Sequence, residues 1–395
     1  MPVSSKISAA LTNASWIRKM FEIGLTLKKQ YGSQNVYDFS LGNPDLESPP
    51  EFTAALIEES KKSGPLVHGY MPNAGYIETR QAVANLLTKE SDIGFSADHV
   101  TMTIGAAGAL NVLLKSILEP GEEVIVIAPF FAEYDFYIDN HQGVRVIAES
   151  TPDLLPNFEN IESKITSKTR ALLINTPNNP TGRVYGEKVL RDLSFLLESA
   201  SKKFGKPIYL IADAPYKKII FDGLSCISPF LFYRNAILAT SFSKDLSLAG
   251  ERIGYLAVSP YADDDKDIIN AATFCNRVLG YVNAPALMQR VIPHVLDVQV
   301  NVPIYQRRRD LLYSALTEIG YEIVKPEGTF YIFPKCPIDD DIQFVQALQE
   351  KLILTTPGTG FHRKGYFRIA YCVSEDIIRR SIPGFKAVFD KFTKR

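Results

Sequence analysis

The apolar positions of this chain change rhythm along its length. Over residues 14–31, Ile17, Met20, Phe21 and Leu25 recur at helical intervals and predict an amphipathic helix. Residues 41–50, LGNPDLESPP, read as a loop from their composition. From residue 99 onward short apolar runs alternate with helical segments: HVTMTIG (99–105), EEVIVIAP (122–129), RALLINTP (170–177), PIYLIADAP (207–215), AILATS (236–241) and RIGYLAVS (252–259). Most are too short for core helices, and those rich in valine and isoleucine suit strands buried on both faces. Strands alternating with helices predict a mostly parallel sheet covered on both sides. Two later stretches, TFYIFPK (329–335) and GYFRIAYC (365–372), mix polar with apolar residues. They predict a smaller α+β lobe into which the N-terminal helix folds.

Composition narrows the class. A chain of 395 residues can bury two domains, or one large domain with a lobe. With 46% apolar and 22% charged residues the balance is that of a soluble globular protein. A formal net charge of −1 gives no electrostatic reason to expect nucleic acid or an anionic membrane as partner. Cys226, Cys275, Cys336 and Cys372 lie far apart without a CxxC spacing, which suits free thiols in a reducing compartment. No stretch reaches the roughly 20 apolar residues of a membrane span, and the N-terminal residues lack the apolar core of a secretory signal. A cytoplasmic protein is the expectation. Asn13-Ala14-Ser15 then matches a glycosylation sequon by chance.

Ligands of open α/β sheets bind at the carboxyl ends of the strands, so the residues that follow each run carry the argument. RALLI ends in Asn175 and leads to Asn179 in NNPTG, IYLIA ends in Asp213-Ala-Pro-Tyr216, and AILAT ends in Ser241-Phe-Ser-Lys244. Asn179 to Asp213 is 34 positions and Asp213 to Lys244 is 31, close to the length of one βαβ unit. Those three polar groups should therefore face one crevice. Earlier, HVTMTIG runs into Gly105-Ala106-Ala107-Gly108, small residues at a strand-to-helix turn whose N–H groups can approach an anion. The chain contains neither GxxxxGK[ST] nor GxGxxG, which argues against nucleoside triphosphates and dinucleotides.

Together these residues describe a ligand. The N–H groups of 105–107, the hydroxyls of Ser241 and Ser243, and the guanidinium of Arg252 suit a phosphate. Lys244 would then reach an aldehyde on the same molecule. Asp213, buried, would keep a pyridine nitrogen protonated. Asn179 and Tyr216 could donate to a ring oxygen, and Phe131 could stack on the ring, although it also suits ordinary core packing. The implied cofactor is pyridoxal 5′-phosphate. The five histidines, 68, 99, 141, 294 and 362, form no close-spaced group and read as structural; no metal is expected.

In NNPTG (178–182), DAPY (213–216) and SFSKDLSLAGERIGY (241–255), taken in order, the chain resembles the class I/II aminotransferases of the fold-type I pyridoxal-phosphate enzymes. The resemblance covers nearly the whole sequence. It implies a large cofactor-binding domain over 50–290 and a small domain built from 1–49 and 291–395. Lys244 resembles the lysine that bonds the cofactor and then moves the substrate's α-proton. Tyr70, in GYMPNAGY, is similar to the tyrosine that reaches a partner subunit's cofactor phosphate, which implies a homodimer. Arg368 falls where the family clamps the substrate α-carboxylate, beside Asn179, and Gly42 falls in the segment over the substrate. The resemblance implies transfer of an amino group from an amino acid to a 2-oxo acid. Elimination, decarboxylation or oxidation on the same scaffold is the alternative.

Departures leave the substrate open. One aspartate-specific subgroup carries a lysine where this chain has Ala107. Another uses an arginine near an Asn-Pro-Pro element; here Asn283-Ala284-Pro285 is similar, but Arg277 stands one position out of register. Phe130, Tyr134, Phe330 and Tyr331 are expected near the pocket, where an aromatic or large neutral side chain would also fit.

Overall fold

The structure is a computed structural model that describes residues 3–12 and 16–394; the sequon at Asn13 lies outside the described residues. The apolar runs form a seven-stranded sheet of β1 (Val100–Thr103), β2 (Glu123–Ala128), β3 (Val144–Glu149), β4 (Thr169–Asn175), β5 (Tyr209–Asp213), β6 (Ala236–Ser241) and β7 (Gly254–Val258). Their order across the sheet is β1-β7-β6-β5-β4-β2-β3. Neighbours from β6 through β3 run parallel, and β7 alone is antiparallel to both strands beside it. Parallel strands require covered faces, and here the side chains alternate between two cores. Ile125, Ile127, Leu172 and Leu210 enter one, while Val124, Val126, Leu173 and Ile211 enter the other.

Helices cover the sheet by amphipathic spacing. Helix Glu187–Phe204 buries Leu190, Leu193, Leu197 and Ala200, an i, i+3, i+7, i+10 stripe, and ends at Gly205 in the left-handed conformation. Between β5 and β6 only a 3₁₀ turn, Pro229–Leu231, intervenes. The similar spacings of Asn179, Asp213 and Lys244 therefore come from two different connections, one helical and one largely irregular. Strand β3 escaped the sequence reading because it is a sheet edge. Val144 and Arg145 are exposed there, so no continuous apolar run marks it.

A third core gathers around two small sheets. Tyr331–Ile332, Phe367–Ala370 and Thr356–Pro357 form one antiparallel sheet. In the other, Tyr37 and Asp38 pair in parallel with Ile353 and Leu354, bringing sequence-distant segments together. Helix Trp16–Tyr31 adds Met20 to this core. Among the described residues no helix is long and apolar enough to cross a membrane.

A buried charge ties this third core to the loop after β5. The fully buried Arg309, on helix Val302–Ile319, donates twice to Asp222, at 2.8 Å each, and to the Pro326 carbonyl at 2.7 Å. Its guanidinium also lies 4.9 Å from the Phe221 ring and pairs with Asp310. Asp222→Ala removes two charge-assisted hydrogen bonds from a buried cation, and should cost about 2–3 kcal/mol of stability. A lower midpoint in urea denaturation at unchanged slope is the expected result.

Candidate active site

The carboxyl ends of β4, β5 and β6 open into a cavity of about 270 Å³. Asn175 and Asp213 are register partners at the ends of β4 and β5, so their side chains stand next to each other. Ser241 ends β6, and Ser243 and Lys244 follow it directly. Of the residues singled out in the sequence, Gly42, Ala106, Ala107, Phe131, Asn179, Asp213, Tyr216, Ser241, Ser243, Lys244, Arg252 and Arg368 all line this cavity. Gly105 stands behind it, beside Arg252. Tyr70 does not line it: its side chain is 92% exposed on the outer surface.

One end of the cavity is built to hold an anion. Gly105, at φ 78, turns the chain from β1 into helix Gly105–Ile117. The first N–H groups of a helix lack intrahelical acceptors, and the helix dipole makes that end positive. Arg252 has φ 52, a left-handed conformation unusual for a residue with a long side chain. It donates to the carbonyls of Ala249 (2.9 Å) and Ile104 (3.3 Å), which places its guanidinium against the same helix start. The hydroxyl-bearing Ser241 and Ser243 are both buried there.

The middle holds an acid and an amine, both short of water. Burial pushes the Asp213 carboxyl up to about 7, against the opposing hydrogen bond from Tyr134. Its Oδ2 accepts from the Tyr134 hydroxyl and, at 3.4 Å, from Asn175 Nδ2, while its Oδ1 is buried without a donor. Burial brings the Lys244 amine down to about 8, and the Arg368 and Arg252 charges push the same way. Lys244 Nζ donates to the Gly42 carbonyl at 2.8 Å and lies 5.7 Å from the Phe330 ring.

The far end carries Arg368, 1% exposed on the small sheet. It donates to Asn179 Oδ1 at 3.0 Å and to the Ser40 carbonyl at 2.6 Å, both neutral acceptors, and its Nε is buried without a partner. Burial lowers its pKa. The guanidinium lies between two aromatic rings, Tyr331 at 4.5 Å and Phe361 at 4.8 Å. Ser40 is itself fixed by Asp38, which accepts its hydroxyl at 2.6 Å and pairs with Lys28 of the N-terminal helix at 2.6 Å. Tyr331 also shares a 3.0 Å hydrogen bond with Tyr216, and a side chain at Gly42 would overlap the Tyr331 hydroxyl.

Other expectations resolve individually. Phe131 lines the cavity and meets Tyr134 edge to face at 5.7 Å. Tyr134 serves Asp213 beyond shaping the wall, and Phe130 lies outside the lining, stacked on His362. Arg277 is exposed, 5.2 Å from the Phe274 ring, and does not reach the cavity of its own chain. Sequence reasoning missed Tyr137 and Phe361. Tyr137 had a signal, since Phe131, Tyr134 and Tyr137 are spaced at i, i+3 and i+6 into helix Glu133–Asn140. Phe361 sits in a 3₁₀ turn with no local pattern to mark it.

The raised Asp213 pKa has a stability consequence for the ligand-free protein. Between the usual carboxylate value near 3.8 and about 7 the unfolded chain gives up this proton while the folded chain keeps it. Stability from this group is therefore lost as pH rises through that window, and the loss is complete above it. Asp213→Asn should remove this group's share of the slope, so that the ligand-free variant melts higher than wild type at pH 8 and no higher at pH 4. Paired thermal melts across that range measure it.

A family model described as "Aminotransferase class I and II" matches residues 34–382. The chain is 31% identical to a probable aspartate/prephenate aminotransferase of Thermus aquaticus, over 87% of this chain and 89% of that protein. It is 28% identical to a probable aspartate aminotransferase of Methanocaldococcus jannaschii, over 95% and 97% of the two chains. The crystal structure of an amino transferase from Eubacterium rectale superposes with a TM-score of 0.95 at 37% identity, covering 99% of this chain and all of that one. By sequence and by fold, the chain belongs to the class I and II aminotransferases.

Proposed function

We propose that this chain moves an amino group from an amino acid to a 2-oxo acid with pyridoxal 5′-phosphate held in the cavity at the strand ends. The observation that carries the reading is Asp213. A fully buried carboxylate with one unpaired oxygen needs a cationic donor, and a pyridinium nitrogen is one. The other residues fit the same molecule. The N–H groups of Gly105, Ala106 and Ala107, with Ser241, Ser243 and Arg252, would take the phosphate. Asn179 and Tyr216 would donate to the ring oxygen, and Phe131 would cover a ring face.

When bound, this cofactor supplies an aldehyde that takes the amino group and a protonated ring that accepts electrons from the substrate's α-carbon. The chain's own groups do the rest. Lys244, with its pKa brought to about 8, has a neutral fraction near pH 7 that an exposed lysine lacks. It would therefore hold the aldehyde carbon and, once displaced, act as the base that takes the substrate's α-proton and gives it back later. Tyr134 and Asn175 orient Asp213 so that its free oxygen stays available. Arg368, whose present acceptors are neutral, would gain an anion in the substrate α-carboxylate, with Asn179 beside it and Gly42 above.

Residues 50–290 would act as the cofactor-binding domain and 1–49 with 291–395 as the small domain; the separate core around the two small sheets supports that division. The exposure of Tyr70 and of Leu66 nearby, 92% and 82%, suits burial in a homodimer, with Tyr70 reaching the partner's phosphate site. The four free cysteines suit a cytoplasmic enzyme.

Incubating the purified holoenzyme with single amino acids, without an acceptor, tests the reaction. Transamination predicts loss of the visible cofactor absorbance and one 2-oxo acid per active site. Continuous release of ammonia or carbon dioxide with the absorbance intact would mean elimination or decarboxylation instead. Lys244→Ala should lose the covalent absorbance and at least about a thousandfold in turnover.

A further inference from the structure

Outside the cavity lining, Asp135 and His362 connect its two ends. Asp135 follows Tyr134, the residue that donates to Asp213, on helix Glu133–Asn140. His362 follows Phe361, whose ring lies against Arg368. The two side chains meet at 2.8 Å, His362 Nε2 to Asp135 Oδ2, and Asp135 Oδ1 pairs with Arg145 of β3 at 2.5 Å. The imidazole also stacks on Phe130, with centroids 4.5 Å apart and planes 16° apart. Phe130 N–H in turn donates to the Phe361 carbonyl at 3.2 Å.

The backbone at this contact is under constraint. His362 has φ 60, a left-handed conformation uncommon for a residue other than glycine. Such residues persist where the surroundings over-determine them. Here a carboxylate and an aromatic face hold the ring, and Arg363 pairs with Glu149 at 3.2 Å one residue on. The effect is to fix Phe361. Arg368 has no carboxylate partner among the described residues, so its plane is set by two neutral acceptors and by the Tyr331 and Phe361 rings.

We propose that Asp135 and His362 are a positioning pair for substrate recognition: by locking Phe361, they set the plane in which Arg368 presents its donors to the α-carboxylate. The inference rests on reading Arg368 as the carboxylate clamp. Amino donor and 2-oxo acceptor both carry that carboxylate, so the pair acts on both half-reactions. A displacement of about 1 Å in such a clamp is enough to weaken a bidentate contact.

The test compares His362→Phe, which keeps a ring on Phe130 but deletes the hydrogen bond, with His362→Gln, whose amide can replace the Nε2 donor. Arg368→Lys and the double variant His362→Phe/Arg368→Lys complete the set. KM and kcat are measured for donor and acceptor, with cofactor affinity by absorbance titration and melting temperature for each protein. The expected result is a rise of about tenfold in both KM values for His362→Phe, the worth of one charge-assisted hydrogen bond. Its kcat and cofactor affinity should stay at wild-type levels, and His362→Gln should recover most of the loss. In the Arg368→Lys background His362→Phe should add little, since groups acting through one another are not additive.

Wild-type KM values in His362→Phe would overturn the proposal. So would a KM rise accompanied by falls in kcat, cofactor affinity and melting temperature, or an undiminished His362→Phe effect on top of Arg368→Lys. If Arg368→Lys itself leaves both KM values unchanged, the clamp reading fails first and the pair's role with it. Should His362→Phe not fold, Asp135→Asn, similar in size but uncharged, reads the same KM values.

Discussion

The site depends on withholding water from two ionisable groups in one cavity. Asp213 is pushed up by burial and Lys244 is pushed down, each away from its charged form. Neither is neutralised by the other; the Asp213 oxygen that lacks a donor and the amine that rests on a backbone carbonyl both await a third group. A ligand with a ring cation and an electrophilic carbon satisfies both at once. The cost of burying them is a destabilised free protein, a common price at sites whose groups must be reactive.

The surrounding architecture exists to hold that arrangement dry and in register. Parallel strands buried on both faces bring Asn175, Asp213 and Ser241 to one edge without loops of their own. The antiparallel β7 returns the chain so that Arg252 lands beside the helix start at Gly105. At the opposite end, Arg368 is carried on a different sheet and a different core. The cavity lies where the small-sheet core meets the main sheet, and contacts such as Arg309 with Asp222 keep that core in place against the loop after β5.

Much of this was readable along the chain. The six apolar runs predicted in the main sheet each contain a strand, and the residues closing three of them line one cavity. That succeeded because a strand buried on both faces needs an unbroken apolar run, and a ligand site at strand ends needs polar residues just after it. The edge strand Val144–Glu149 failed the same test because half of it faces solvent. Tyr134 was expected at the pocket, but its bond to Asp213, 79 positions away, has no local signature.

The sequence by itself determined six of the seven main-sheet strands, the order of the polar residues that end them, and the chemistry those residue types could perform. These follow from short-range rules of periodicity and turn composition. Only the tertiary structure decided the electrostatics: which Asp213 oxygen is unpaired, how far burial moves Asp213 and Lys244, and that Arg368 is held between Tyr331 and Phe361. Desolvation and ring stacking depend on what surrounds an atom in space, and those surroundings come from segments hundreds of residues apart, such as Ser40 and Arg368.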